Sequence, residues 1–86
     1  MLKIYGSMQC PDCVECRREL DGSNVEYEYL DFADSLLNLK AFLSIRDQNP
    51  IFDPIKREGK IGIPCIVEDD GSVLLDWSKY VSQADA

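Results

Sequence analysis

Four cysteines and no histidine define the chemistry open to this chain of 86 residues. Cys10, Cys13 and Cys16 follow one another at steps of three, and Cys65 stands far along the chain. Without histidine, the usual general base and the commonest nitrogen ligand for zinc are both missing. The thiols themselves become the candidates. Cys10 and Cys13 enclose Pro11 and Asp12 as Cys-Pro-Asp-Cys. Such a pair at a helix start can cycle between dithiol and disulfide: Cys10 attacks a target disulfide, and Cys13 then attacks Cys10 and releases the reduced target. Unpaired backbone N–H groups and the helix dipole favour a thiolate at that place, while Pro11 fixes the turn between the two thiols. Asp12 sets a carboxylate beside Cys10 and works in the opposite sense.

Zinc sites also use two cysteines at this spacing, but a zinc ribbon carries a second, separate pair, whereas the only other such spacing here, Cys13 to Cys16, shares Cys13 with the first. What favours redox chemistry is the context, a strand before the pair and a helix after it. Cys16 shares a helix face with Cys13 and reads first as a small buried residue. Its sharper reading is a third thiol able to trade disulfides with Cys13. Cys65 follows Pro64 on an expected central strand and is again a candidate core residue. Its nearness to the site would let it act as an accessory thiol or a metal ligand. Ile63-Pro64 is expected to be a cis peptide beside Cys10, with the Ile63 backbone free to pair with an extended peptide or with glutathione.

The elements that must hold these residues can be read from period and punctuation. Residues 2–6 form a short apolar strand ending at Gly6-Ser7. Pro11 suits a first helical turn, and Cys13, Cys16, Arg17 and Leu20 share one face of a helix that closes near Asp21-Gly22, with Gly22 as its cap. Residues 25–32 alternate apolar and acidic, as a second strand does. Asp34 or Ser35 caps a helix reaching about Gln48. Its stripes, Leu36, Leu39, Phe42 and Leu43 on one side and Leu37, Ala41 and Ile45 on another, predict cover on two sides. The segment around Phe52 and Ile55 is expected to supply part of it. Asn49-Pro50 breaks this helix, residues 52–58 add a short helical piece, and residues 59–62 form a loop. Strands over 64–68 and 73–75 join through a two-residue turn at Asp70-Gly71. A brief helix over 77–82 follows, with a frayed end. Tyr5 and Trp77 are expected to cover the edges of the core. The order β-α-β-α-β-β predicts a parallel pair, an added hairpin and a mixed four-stranded sheet in one α/β domain spanning residues 1–86.

Composition narrows the function classes. Sixteen acidic and nine basic residues leave a formal charge of −7, which disfavours nucleic acid and anionic membrane surfaces. No apolar run is long enough to span a bilayer, and the first strand begins directly after Met1 with no signal-peptide pattern. The expected location is the cytoplasm, where thiols stay reduced.

Together, Ile4-Tyr5-Gly6, Cys10-Pro11-Asp12-Cys13, Gly62-Ile63-Pro64 and Asp70-Gly71 resemble the glutaredoxin branch of the thioredoxin superfamily over nearly the whole chain. The match is closest to small bacterial glutaredoxin-like proteins with Cys-Pro-Asp-Cys. The resemblance implies a thioredoxin fold of the minimal glutaredoxin type, a cis Ile63-Pro64 bond, Cys10 as nucleophile and Cys13 as resolving thiol. Gln9, Asp12, Ile63 and Pro64 would then contact substrate. The implied activity is reduction of protein or small-molecule disulfides by a monomer with no bound cofactor. Glutathione is a candidate co-substrate. A thioredoxin-reductase-type donor is the alternative, because Ser7-Met8-Gln9 lacks the family's lysine and Asp76-Trp77-Ser78 replaces its Gly-Gly-acidic sequence. Arg46, Arg57 and Lys60 are candidate carboxylate partners or plain solvated charges. Two other classes stay open at this point: a metal or iron–sulfur protein, and a non-catalytic thioredoxin-like binding module.

Overall fold

The computed structural model describes residues 1–81. Strand β1 (Leu2–Gly6) lies inside the sheet and pairs on both sides. It runs parallel to β2 (Tyr27–Asp31), with Ile4 opposite Tyr29, and antiparallel to β3 (Cys65–Val67), with Ile4 opposite Ile66. β4 (Val73–Leu74) pairs antiparallel with β3, giving the order β2-β1-β3-β4. The protein is thus α/β, with a mixed four-stranded sheet. A parallel pair needs a long crossover, and α1 (Pro11–Gly22) supplies it.

Alternation along the strands divides the core between the two sheet faces. Ile4, Tyr27, Tyr29, Ile66 and Leu74 pack with Cys16 and Leu20 of α1. Tyr5, Leu30, Cys65, Val73 and Leu75 pack instead with Phe42 and Phe52. Phe42 belongs to α2 (Leu36–Gln48), which Ser35 caps by accepting the Leu37 N–H at 3.1 Å. Phe52 ends a 3₁₀ turn (Pro50–Phe52) that leads into α3 (Asp53–Arg57). The three phenylalanines of this layer form a chain of rings. Phe32 and Phe42 have centroids 5.3 Å apart, and Phe42 meets Phe52 edge-on at 5.9 Å, geometries that suit the ring quadrupoles.

Five expectations are corrected. Among the described residues α2 is covered on one side, the one that carries Leu39, Phe42 and Ile45. Leu36 and Leu37 are 78% and 75% exposed, and Leu43 is exposed too. Gly22 does not cap α1. Ser23 does, and Asn24 takes the left-handed conformation at φ 56°, a role asparagine tolerates. β2 is shorter than residues 25–32. The hairpin loop holds three residues rather than two, because Glu68 and Ser72 still pair (Glu68 N–H to Ser72 C=O, 2.9 Å) and Gly71 sits at φ 89°. That is the three-residue loop with a left-handed glycine. The terminal helix is a 3₁₀ turn, Ser78–Tyr80, and the expected frayed end lies outside the described residues. No helix among the described residues is long and apolar enough to cross a membrane.

Candidate active site

Cys10 is the N-cap of α1, with an extended backbone (φ −93°, ψ 121°), and Pro11 takes the first helical position. Pro11 has no N–H to lose there and its fixed φ fits the helix. The Cys10 carbonyl accepts the N–H groups of Cys13 (3.0 Å) and Val14 (3.2 Å), and the Cys10 N–H returns to the Ser7 carbonyl at 3.0 Å. These bonds close the turn between strand and helix and hold the first cysteine half-buried at its tip. Cys13, one turn on, is fully buried. Asymmetry of access between the two thiols follows directly from their places on the helix.

Burial dominates the behaviour of Cys13 and pushes its thiol up to about 11. A hydrogen bond from the Ser7 backbone pulls the other way; the charge of Cys10 adds to the rise, the Tyr29 hydroxyl lowers it, and a hydrogen bond shared with the Cys10 sulfur raises it. Cys16 and Cys65 are buried as well, and loss of water pushes both to about 12. All four cysteines are free thiols. Cys16 lies in the α1 face of the core, next to Ile4, Leu20 and Ile66. Cys65 does not join the site as an accessory thiol: its side chain packs with Tyr5, Phe42 and Phe52 on the opposite face of the sheet. Its proximity to Pro64 in sequence is undone by strand alternation. Among the described residues no three of His, Cys, Asp or Glu gather where they could hold a metal ion.

A cavity of about 330 Å³ opens beside Cys10 and is bounded by Asp12, Lys60, Ile61, Ile63 and Pro64, among others. The Ile63-Pro64 bond is cis, and Pro64 is buried. The Ile63 N–H and C=O take part in none of the loop and turn hydrogen bonds of the described residues. Gln9 is exposed on the turn, its N–H bonded to Ser7 Oγ at 3.1 Å, and is not part of the cavity wall.

Arg46 is absent from that wall too, yet it shapes it. Its guanidinium donates to the carbonyls of Ile61 and Lys60, each at 2.8 Å, and so ties the loop before Ile63 to α2. Lys60 instead faces the cavity and pairs with Glu58 at 3.5 Å on the surface. Gly62 closes the loop at φ 97°, and a Cβ there would meet the Phe52 ring at 2.7 Å. Only glycine suits both the conformation and the space.

Sequence reasoning missed two residues at the site. A Cβ on Gly6 would lie 2.7 Å from Cys13 Sγ and 2.8 Å from the Tyr29 hydroxyl oxygen. The absent side chain leaves room for these two groups beside β1. The signal was present in strand parity, since Tyr29 lies opposite Ile4 in the register and shares its face. Arg17 stacks its guanidinium on the Tyr29 ring at 4.4 Å from the centroid.

No family model and no solved structure matches the chain. An uncharacterized protein of Haemophilus influenzae is 41% identical to it over 76 residues, which cover 88% of each sequence. The chain belongs to the family of that protein.

Proposed function

We propose that this protein is a dithiol thiol–disulfide oxidoreductase with a thioredoxin-type fold of the small glutaredoxin kind, reducing protein or small-molecule disulfides through Cys10 and Cys13. The observation that carries the reading is the graded access of the two thiols, one half-buried at a helix start beside a cavity and the other buried one turn behind it. In the first step the Cys10 thiolate attacks one sulfur of the substrate R–S–S–R′. The S–S bond breaks, R′–S⁻ leaves and is protonated, and Cys10 holds R as a mixed disulfide. In the second, Cys13 attacks Cys10 and expels R–S⁻. The two electrons that reduce the substrate come from the dithiol.

The cavity suits an extended, peptide-like substrate. The Ile63 backbone, without a hydrogen bond among the described residues, offers one donor and one acceptor, the pairing mode of strand addition. Asp12 and Lys60 place one charge of each sign on otherwise apolar walls. A glutathione disulfide and a peptide disulfide both fit this description, and the electron donor is glutathione or a thioredoxin-reductase-type system.

The test is steady-state reduction of a mixed glutathione disulfide and of a protein disulfide, each driven separately by glutathione with its reductase and by thioredoxin reductase. Cys10→Ser is expected to abolish turnover with both substrates. Cys13→Ser is expected to retain part of the activity on the glutathione disulfide and lose it on the protein. Full activity in Cys10→Ser would overturn the proposal.

A further inference from the structure

The Tyr29 hydroxyl has no task in the cycle above, although it lies beside one of the reacting sulfurs. We propose that it is the hydrogen-bond donor that receives the Cys13 thiolate while Cys13 attacks the mixed disulfide on Cys10. This inference rests on the dithiol reading of Cys10 and Cys13.

Three observations converge. The Tyr29 oxygen and Cys13 Sγ flank one point, the empty Cβ position of Gly6, at 2.8 and 2.7 Å. The hydroxyl is buried and has no hydrogen-bond partner of standard geometry among the described residues. An unpaired buried hydroxyl is costly, and phenylalanine would fill the same space without that cost. The ring is also held in place. Arg17 lies over its face, and the Arg17 Nε donates to Tyr27 Oη at 3.3 Å while that hydroxyl donates to Asp21 at 2.7 Å. A donor beside a cation is therefore kept ready in a dry place where, with the thiol protonated, it is left unsatisfied.

The step that uses it balances as follows. Cys13 gives up its proton, its sulfur forms a bond to Cys10 Sγ, and the bond between Cys10 and R–S breaks. R–S⁻ leaves with the electron pair and takes up a proton. Tyr29 keeps its own proton throughout. Negative charge on Cys13 is transient and buried, so a donated hydrogen bond is worth most at that moment. The groups that face Cys13 and its donor are Cys10 at the N-cap of α1, Cys16 and Arg17 on α1, Tyr29 and Asp31 on β2, and the Ser7 backbone after β1. Of these, the Ser7 backbone and the Tyr29 hydroxyl are the two that favour the Cys13 thiolate. Burial raises Tyr29 above its ordinary value, which keeps it a donor at any working pH.

The experiment uses the whole protein and Tyr29→Phe. A peptide disulfide is mixed with the reduced protein, the reaction is quenched with acid, and the mixed disulfide on Cys10 is followed by mass spectrometry. Its formation is expected to be unchanged, and its decay about ten-fold slower at neutral pH, equal to the loss of a hydrogen bond to a charged group. The pH profile of decay should move upward, because the thiolate has lost a donor. The urea midpoint should hold or rise, since no native partner of the hydroxyl is removed. Equal decay rates and coincident pH profiles in the two proteins would overturn the inference and leave the dithiol reading intact. A formation step slowed as much as decay would also overturn it, by showing a merely structural role. A wild-type protein that never forms a mixed disulfide on Cys10 would overturn both.

Discussion

At the scale of single residues, four chemically identical thiols have been given different characters by place alone. Cys10 is half-buried at the helix tip, whereas Cys13, Cys16 and Cys65 are fully buried. Brief treatment of the native reduced protein with iodoacetamide is therefore expected to label Cys10 well before the others, as peptide mapping would show; equal labelling of Cys65 would contradict the burial seen here. Cys16→Ala and Cys65→Ala each remove a packed sulfur and are expected to cost about 1–2 kcal/mol in urea denaturation while leaving disulfide reduction intact. Serine at either place should cost more, because its hydroxyl would be buried among apolar neighbours. Gly6→Ala belongs here as well. Its methyl group would enter the contact between Cys13 and Tyr29, so the second step of the cycle should slow more than the first in the same quenched-flow measurement.

At the scale of elements, the segment from α3 to β3 is where local structure and substrate binding meet. Gly62→Ala combines a backbone conformation that alanine resists with a clash against Phe52. It is expected to lose about 2 kcal/mol or more of stability, measured by denaturant unfolding, and to weaken substrate binding through the displaced Ile63. How much of this was legible depended on whether an element's partner could be read from its own pattern. The spacing of Cys13, Cys16 and Leu20, with Pro11 ahead of them, located both α1 and its buried face, because a short crossover helix on a parallel pair has only the sheet to pack on. In α2 the same reasoning erred. Leucines at 36, 37 and 43 carry the period of a buried stripe, but Leu39, Phe42 and Ile45 already satisfy the sheet. The role of Arg46 was likewise invisible, since its partners are backbone carbonyls of a loop with no sequence signature. Cys65 shows the sharpest limit: one step along a strand reverses the face, and adjacency to Pro64 in the chain does not reveal which face the site uses.

At the scale of the whole molecule, three buried thiols and a buried tyrosine couple folding to pH. The thiols of Cys13, Cys16 and Cys65 stand above their ordinary value of 9.0, at about 11, 12 and 12. The unfolded chain therefore gives up these protons at a lower pH than the folded one, and their contribution to stability is complete below about 9 and lost as pH rises toward 12. The urea midpoint is expected to hold between pH 7 and 8.5 and to fall at pH 10, and a triple replacement of these cysteines by alanine should flatten that fall. The sheet has a further consequence at this scale. By placing Cys65 on one face and Cys13 and Cys16 on the other, it acts as a partition across the interior, so an oxidant that has closed Cys10 onto Cys13 has no route by which the bridge could migrate to the fourth sulfur. Repeated oxidation and reduction should return one covalent isomer rather than a scrambled mixture, which non-reducing peptide maps taken after many cycles would reveal.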